Sequence, residues 1–526
     1  MSPAKKKTSA RLSASKAGQP KDNASPAKEP LPEDSIPYTK EALTQKDQRS
    51  DISEESPALQ IVVLGPTGGP REDRVTSLLV KSLAVDWAPN CVIAVDAGTL
   101  VCGIINVLSR TEENGSQDGI PKSGFFAGLR LPHDRDTANA AYIFQKIIGS
   151  VLITHPHIDH VSALAINTPL LERGHAPKIV TGLPSVIDAL KTHVFNGVIW
   201  PNLSNEDQGA GLIAYNRLLE GGNTSMGSGQ LKGYVTVCDG LLAQCLGVSH
   251  GRGAPTAELR RASSVCFPGD RSGSQSTPRS PYREQTYNTA ESSAFFLRDQ
   301  QTGAEVVIFG DVEADSISKE PRNRRVWEMA ATRVVDRRLR AIFIECSYSD
   351  ETDDDQLFGH LCPRHLIQEL SVLGQLVAES KGLKFATALS TAKRKREHNS
   401  DLVSDSSLSP KTKRVSASSK AGSLAYTRRA SSRGTSDEAD TRDLTESGAL
   451  VTVSRRPSAH RALSDFTAVN EKPLAGLPIF VIHVKETLSD GPDPREQILQ
   501  ELVEQGEAIG LGCEFHVPRR GETIIL

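Results

Sequence analysis

Three imidazoles and a carboxylate fall within six residues at His155-Pro156-His157-Ile158-Asp159-His160, directly after the apolar run Val151-Leu152-Ile153. Histidine and aspartate are ligand types that divalent zinc or manganese accepts. Gathering three of the chain's 13 histidines into one such stretch argues against a merely polar surface loop. His155 and His157 are separated by one residue, so both rings can swing toward one ion. Asp159 and His160 follow where the chain should enter a helix, and can address a second ion. Two ions about 3.5–4 Å apart are the usual arrangement for hydrolysing phosphate esters.

Each ion then needs further ligands, which must arrive from distant elements. The chain offers His250 for the first ion, His483 for the second and Asp311 as a carboxylate able to bridge both. Each stands at the end of an apolar run. Asp96, in Val95-Asp96-Ala97-Gly98, is expected to accept a hydrogen bond from a ligand imidazole and so orient it.

Six short apolar runs place such residues. They are Cys91 to Val95 before Asp96, Val151 to Thr154 before His155, Leu241 to Ser249 before His250, Val306 to Gly310 before Asp311, Ala341 to Ile344 before Glu345, and Ile479 to Ile482 before His483. Continuous apolar runs of this length suit strands covered on both faces, with their polar ends lining one rim. Helical spacing marks Arg74 to Val85, Ala138 to Ile148, Ser185 to Phe195, Arg322 to Arg337 and Pro363 to Ser380. The fold class is therefore α/β and layered. The turn Leu64 to Pro70 lacks the GK[ST] ending and the GxGxxG spacing of phosphate loops, so it is read as a tight turn.

Much of the 526-residue chain is too polar to bury a core. A disordered N-terminal tail is expected over 1–57, followed by one domain over 58–526 with disordered inserts at about 251–290 and 391–472. The folded remainder, roughly 350 residues, suits one large domain. A net charge of −3 argues against stable nucleic-acid binding, although the basic clusters Lys5 to Lys7 and Lys393 to Arg396 could serve nuclear import. No apolar run approaches a membrane span and no signal peptide is evident, so no membrane partner and a cytoplasmic location, with nuclear access, are expected. The eight cysteines, at 91, 102, 238, 245, 266, 346, 362 and 513, show no CxxC spacing and read as reduced, mostly buried thiols.

The run His155 to His160 resembles the HxHxDH signature of the metallo-β-lactamase superfamily, and the order His250, Asp311, His483 matches its later ligands. More narrowly, the chain looks like the class II cyclic-nucleotide phosphodiesterases, the low-affinity cAMP enzymes of fungi and their bacterial relatives. That likeness rests on Gly65 to Pro70, Gly247 to Gly251, Ser293 to Phe296, Phe309 to Glu313, Phe343 to Tyr348, Gly359-His360-Leu361 and Ile482 to Glu486. Ile158 stands where the family commonly has Leu, a change that touches no ligand.

The resemblance implies a metallo-β-lactamase-like αββα sandwich. It also implies hydrolysis of the 3′ bond of 3′,5′-cyclic AMP, with cyclic GMP as a second candidate, to the 5′-nucleoside monophosphate. The attacking group would be a hydroxide bridging two divalent ions, zinc ahead of manganese or magnesium. Asp159 would help orient it, and His360, with Glu345 as its orienting partner, is the candidate general acid. Tyr348 is a candidate purine contact. Other readings are a nuclease of the tRNA 3′-processing type, a hydroxyacyl-thioester hydrolase of the same fold, and a non-catalytic scaffold. Ser263, Ser431 and Ser458 each follow a two-arginine pattern suited to the cAMP-dependent kinase, a candidate partner. A homodimer is admitted by this sequence but not specified.

Overall fold

The computed structural model describes residues 56–113, 116–117, 119–225, 227–255, 287–382 and 472–526. The expected tail up to residue 55, the insert at 391–472, both basic clusters, Cys266 and the three serines lie outside the described residues.

Sixteen strands are described: β1 Leu59–Gly65, β2 Ser77–Ser82, β3 Val92–Val95, β4 Ser116–Gln117, β5 Ile120–Pro121, β6 Ile148–Leu152, β7 Lys178–Gly182, β8 Ile213–Arg217, β9 Val235–Cys238, β10 Leu241–Pro255, β11 Tyr287–Asp299, β12 Glu305–Phe309, β13 Leu339–Glu345, β14 Pro478–Ile482, β15 Glu514–His516 and β16 Thr523–Ile525. One seven-stranded sheet runs β16-β1-β2-β3-β6-β7-β8, and the other runs β15-β14-β13-β12-β11-β10-β9. Each is antiparallel along one half and parallel along the other: β1, β2 and β3 pair antiparallel before β6 to β8 join in parallel, and β9 to β12 pair antiparallel before β13 to β15. β4 and β5 form a separate hairpin.

Alternation along the strands assigns the faces. Leu241, Ala243 and Cys245 of β10, with Phe295, Val306, Ile308, Phe343 and Phe480, pack into the core shared with the first sheet. The intervening Leu242, Leu246, Phe296, Val307, Ile342 and Val481 face outward into a second core under helices. Phe343 and Phe480 stack with ring centroids 4.7 Å apart in the shared layer. The helices are α1 Val101–Glu113, α2 Asp136–Tyr142, α3 Ile158–Ile166, α4 Pro184–Ala189, α5 Asn323–Val335, α6 Pro363–Lys381 and α7 Pro494–Ile509. α5, α6 and α7 cover the second sheet through Trp327, Leu366, Leu370 and Leu502. Capping chemistry fixes both ends of α7, which opens on Asp493, whose carboxylate accepts from Arg495 N at 3.0 Å, and closes on Gly510 in the left-handed region.

Two sequence expectations change. Arg74 to Val85 is not a helix: Val75, Leu78 and Leu79 mimic helical spacing, but Ser77–Ser82 is buried throughout between β1 and β3. A central place in a sheet overrides that local pattern. Residues 251–255 and 287–290, expected within an insert, lie in β10 and β11, and residues 256–286 lie outside the described residues. His250 thus sits within a strand and not at its end, at a register irregularity between Ser249 and Arg252 that re-aims its side chain. The other four helical expectations coincide with α2 and α4, each extended by a π-type turn, and with α5 and α6.

Candidate metal centre

The two sheets meet at one rim, and each contributes half of the cluster. Asp96 follows β3, His155 and His157 lie in the turn from β6 into α3, and Asp159 and His160 stand in the first turn of α3. From the second sheet come His250 of β10, Asp311 after β12, Glu345 at the end of β13 and His483 after β14. The sheets approach closely there, since a Cβ at Gly310 would lie 2.4 Å from Thr154 Cβ. Ser293 Oγ donates across the seam to the Thr154 carbonyl at 2.8 Å.

Asp311 is the hub. Its carboxylate lies 3.5 Å from His155 Nε2, 3.6 Å from His250 Nε2, 3.2 Å from His160 Nε2 and 3.2 Å from His483 Nε2. Two quartets share it: His155, His157, His250 and Asp311, and Asp159, His160, Asp311 and His483, each with its donor atoms within 4.8 Å of one another. His250 lies in the first of these sets and His483 in the second.

The outer nitrogens reveal the tautomers that the hydrogen-bond network assigns. His160 Nδ1 meets Asp96 Oδ2 at 2.8 Å, His250 Nδ1 meets the Gly359 carbonyl at 2.8 Å, and His483 Nδ1 meets Thr76 Oγ1 at 2.6 Å. Thr154 Oγ1 donates to Asp96 at 2.9 Å and so accepts from His155 Nδ1 at 3.1 Å. With Nδ1 so engaged, Nε2 is the inward nitrogen of all four rings; Asp311 and Asp96 outweigh burial and hold His160 well above the usual imidazole range, so its Nε2 offers a lone pair only on giving up that proton. His155 Nε2, His160 Nε2 and Asp311 Oδ1 are buried with no hydrogen-bond partner. His155 Nε2 faces Asp311 Oδ2 at 3.5 Å as acceptor against acceptor, and a cation between them removes that cost. The residues present thus fit divalent metal. Burial pushes His250 down to about 4 and His155 well below the usual imidazole range, which keeps both neutral and ligand-ready.

A third group adjoins the two quartets. His360 Nδ1 donates to Glu345 Oε1 at 2.9 Å, and its ring centroid is 4.8 Å from that of His250 and 5.3 Å from that of His483. Glu345 also accepts from Val312 N at 2.9 Å and Ser347 Oγ at 2.6 Å. Burial opposes its ionisation, but His360, by charge and hydrogen bond, and His483 outweigh burial and hold the Glu345 carboxyl below the ordinary range. Tyr348 is half-buried and sets its ring edge to His360, 6.0 Å between centroids. A cleft of about 300 Å³ opens beside the cluster, lined by His155, His157, Ser185, Gly253, Asn288 and Glu291.

Several contributors carry no signal of their own in the sequence. Thr76 and Thr154 are ordinary strand-edge residues until the fold sets them against His483 and Asp96. Gly68 lets His483 lie against the backbone, where a Cβ would come within 2.5 Å of Nε2. Lys485 Nζ donates to the Gly68 carbonyl at 2.7 Å and stands 3.6 Å from Asp159 Oδ2. Asp96 and His483 both hold positive φ, +56° and +60°, a strained placement of the kind that clusters at functional sites.

Comparison with known proteins gives a consistent result. The family model described as cAMP phosphodiesterases class-II matches residues 64–227, 262–391 and 461–521. A 3′,5′-cyclic-nucleotide phosphodiesterase of Schizosaccharomyces pombe is 30% identical over 339 residues, covering 64% of this chain and 81% of that protein. Another, phosphodiesterase 1 of Saccharomyces cerevisiae, is 27% identical over 363 residues, covering 62% and 85%. The crystal structure of unliganded yeast PDE1 superposes with a TM-score of 0.56 at 21% identity, covering 90% of this chain and all of that one.

Proposed function

The chain belongs to the class-II cAMP phosphodiesterases, whose family model matches more than half of it, and from that premise we propose how its own residues perform the reaction. It is a metallo-β-lactamase-fold hydrolase of 3′,5′-cyclic nucleotides. The preferred substrate is cyclic AMP, opened at its 3′ bond to 5′-AMP. His155, His157, His250 and Asp311 hold one divalent ion, and Asp159, His160, His483 and Asp311 a second. Their imidazole-rich set suits zinc ahead of manganese or magnesium. When bound, the ions supply Lewis acidity toward the phosphoryl oxygens and lower the pKa of water at the site.

The rest of the chemistry falls to the chain. Asp96, Thr76 and the Gly359 carbonyl fix the imidazoles through their outer nitrogens. Asp159 orients the attacking water. His360 carries the proton for the departing 3′ oxygen, and Glu345 holds its Nδ1 so that Nε2 delivers that proton. The observation that carries this reading is Asp311, shared by two quartets of inward-facing ligand atoms.

Among the described residues no helix is long and apolar enough to cross a membrane, in keeping with action in the cytoplasm, with nuclear access as the basic clusters suggest. Ser263, Ser431 and Ser458 remain the proposed targets of the cAMP-dependent kinase, and a second copy of the chain a proposed partner. The test of the function incubates the protein with 3′,5′-cyclic AMP, cyclic GMP and a structured RNA, with and without chelator. Chelator-sensitive release of 5′-AMP is expected, and its absence refutes the reading.

A further inference from the structure

Phe358 is the residue near the centre whose placement the fold does least to explain. Its side chain is 74% exposed, and its backbone lies in the left-handed region at φ +51°. Both features work against stability: an exposed aromatic ring gains no burial, and a bulky residue is strained at positive φ. The flanking backbone is nonetheless fixed. Leu357 is fully buried before it. After it, Gly359 packs so closely that a Cβ there would lie 2.7 Å from Gly251 Cα. The Gly359 carbonyl accepts from His250 Nδ1 at 2.8 Å, and His360 follows immediately.

A loop packed tightly on either side thus leaves an aromatic side chain exposed to water two residues before His360. By chain geometry its Cα is within about 7 Å of that of His360, a span that one ribose can bridge. A purine offers a flat apolar surface that an exposed ring can cover from water. Tyr348, the other aromatic at this rim, is half-buried and sets its edge to His360. We propose that Phe358 is the stacking platform for the purine of the cyclic nucleotide, setting the position of the base while the cyclic phosphate lies at the Asp311 cluster. This rests on the reading of that cluster as a cyclic-nucleotide site.

The experiment measures kcat and KM of metal-loaded wild type, Phe358→Ala, Phe358→Asn and Phe358→Trp on 3′,5′-cyclic AMP and on its abasic analogue, ribose 3′,5′-cyclic phosphate. Asn suits left-handed backbone and guards against a folding defect from Ala. For cyclic AMP, Ala and Asn should raise KM roughly 5- to 150-fold, the range that one base-on-aromatic stack is worth. kcat should stay within about threefold of wild type and Trp should restore KM. The abasic substrate should show wild-type KM in all four proteins. Equal KM increases for both substrates, unchanged KM for cyclic AMP, or a wild-type dimer that Phe358→Ala dissociates each overturn the platform. Failure of the wild type itself to hydrolyse cyclic AMP is a separate result that refutes the functional reading and the platform with it.

Discussion

Replacing Asp96 with Asn isolates what the acceptor behind His160 contributes. The carboxylate is buried and takes three bonds: Thr154 N to Oδ1 at 2.8 Å, Thr154 Oγ1 to Oδ2 at 2.9 Å and His160 Nδ1 to Oδ2 at 2.8 Å. Asn preserves the shape, tolerates the φ of +56° and can still accept from Thr154 N through its oxygen. Its amide nitrogen then faces His160 Nδ1, donor against donor. Either the bond is lost or His160 keeps its proton on Nε2, which withholds the lone pair an ion needs there. Losing an orienting partner of this kind costs about 10- to 100-fold in metal affinity or activity, equivalent to about 1.4–2.7 kcal/mol. Thr154 Oγ1, 3.0 Å from Oδ1, can still donate to the Asn oxygen and keep His155 in place, so the larger loss should fall on the quartet that contains His160, and competition against a chromophoric chelator should show one equivalent weakened well beyond the other. Activity should fall in parallel and recover partly at high metal. Two equivalents bound with wild-type affinity by a folded Asp96→Asn protein would refute the argument from tautomers.

Other perturbations read other parts of the structure. His360→Ala should lower kcat by about 10²- to 10⁴-fold while metal content, measured by elemental analysis, stays at the wild-type level; lost metal would instead make His360 a ligand. Gly68→Ala places a Cβ 2.5 Å from His483 Nε2, so metal stoichiometry and activity should fall together with little change in far-ultraviolet circular dichroism. Glu305 is buried and accepts from Arg298 at 2.7 Å and Arg333 at 2.6 Å, with Arg338 and Tyr234 completing the set. Glu305→Gln should cost about 3–5 kcal/mol in urea unfolding, because it leaves buried guanidinium charge without a counter-charge. Burial opposes ionisation of Glu305, but Arg333, Tyr234 and Arg298 outweigh it and hold its carboxyl below the ordinary range. Its contribution is therefore complete above the unfolded carboxylate pKa of about 4.3 and is lost as pH falls through the folded value, a decline that the Gln variant should lack.

His155 to His160 announced a metal site without any fold, because ligand spacing within one turn is a local property of the chain. The strand runs before Asp96, Asp311, Glu345 and His483 were also legible, since strands buried on both faces must be continuously apolar. Local pattern failed at Arg74 to Val85, where helical spacing yielded to a central place in the sheet, and at His250, which a bulge turns inward from mid-strand. The tertiary structure supplied the geometry of the two quartets around Asp311, because that depends on how two sheets meet at their rim. It also decided the supporting contacts. Thr76, Thr154, Gly68 and the Gly359 carbonyl have no motif, and they act through close contacts that arise only when residues distant in the chain, 58 positions apart for Thr154 and Asp96 and 407 for Thr76 and His483, pack together. Residue type and spacing therefore specified the chemistry of this chain, while packing at the seam specified the orientation of each nitrogen that performs it.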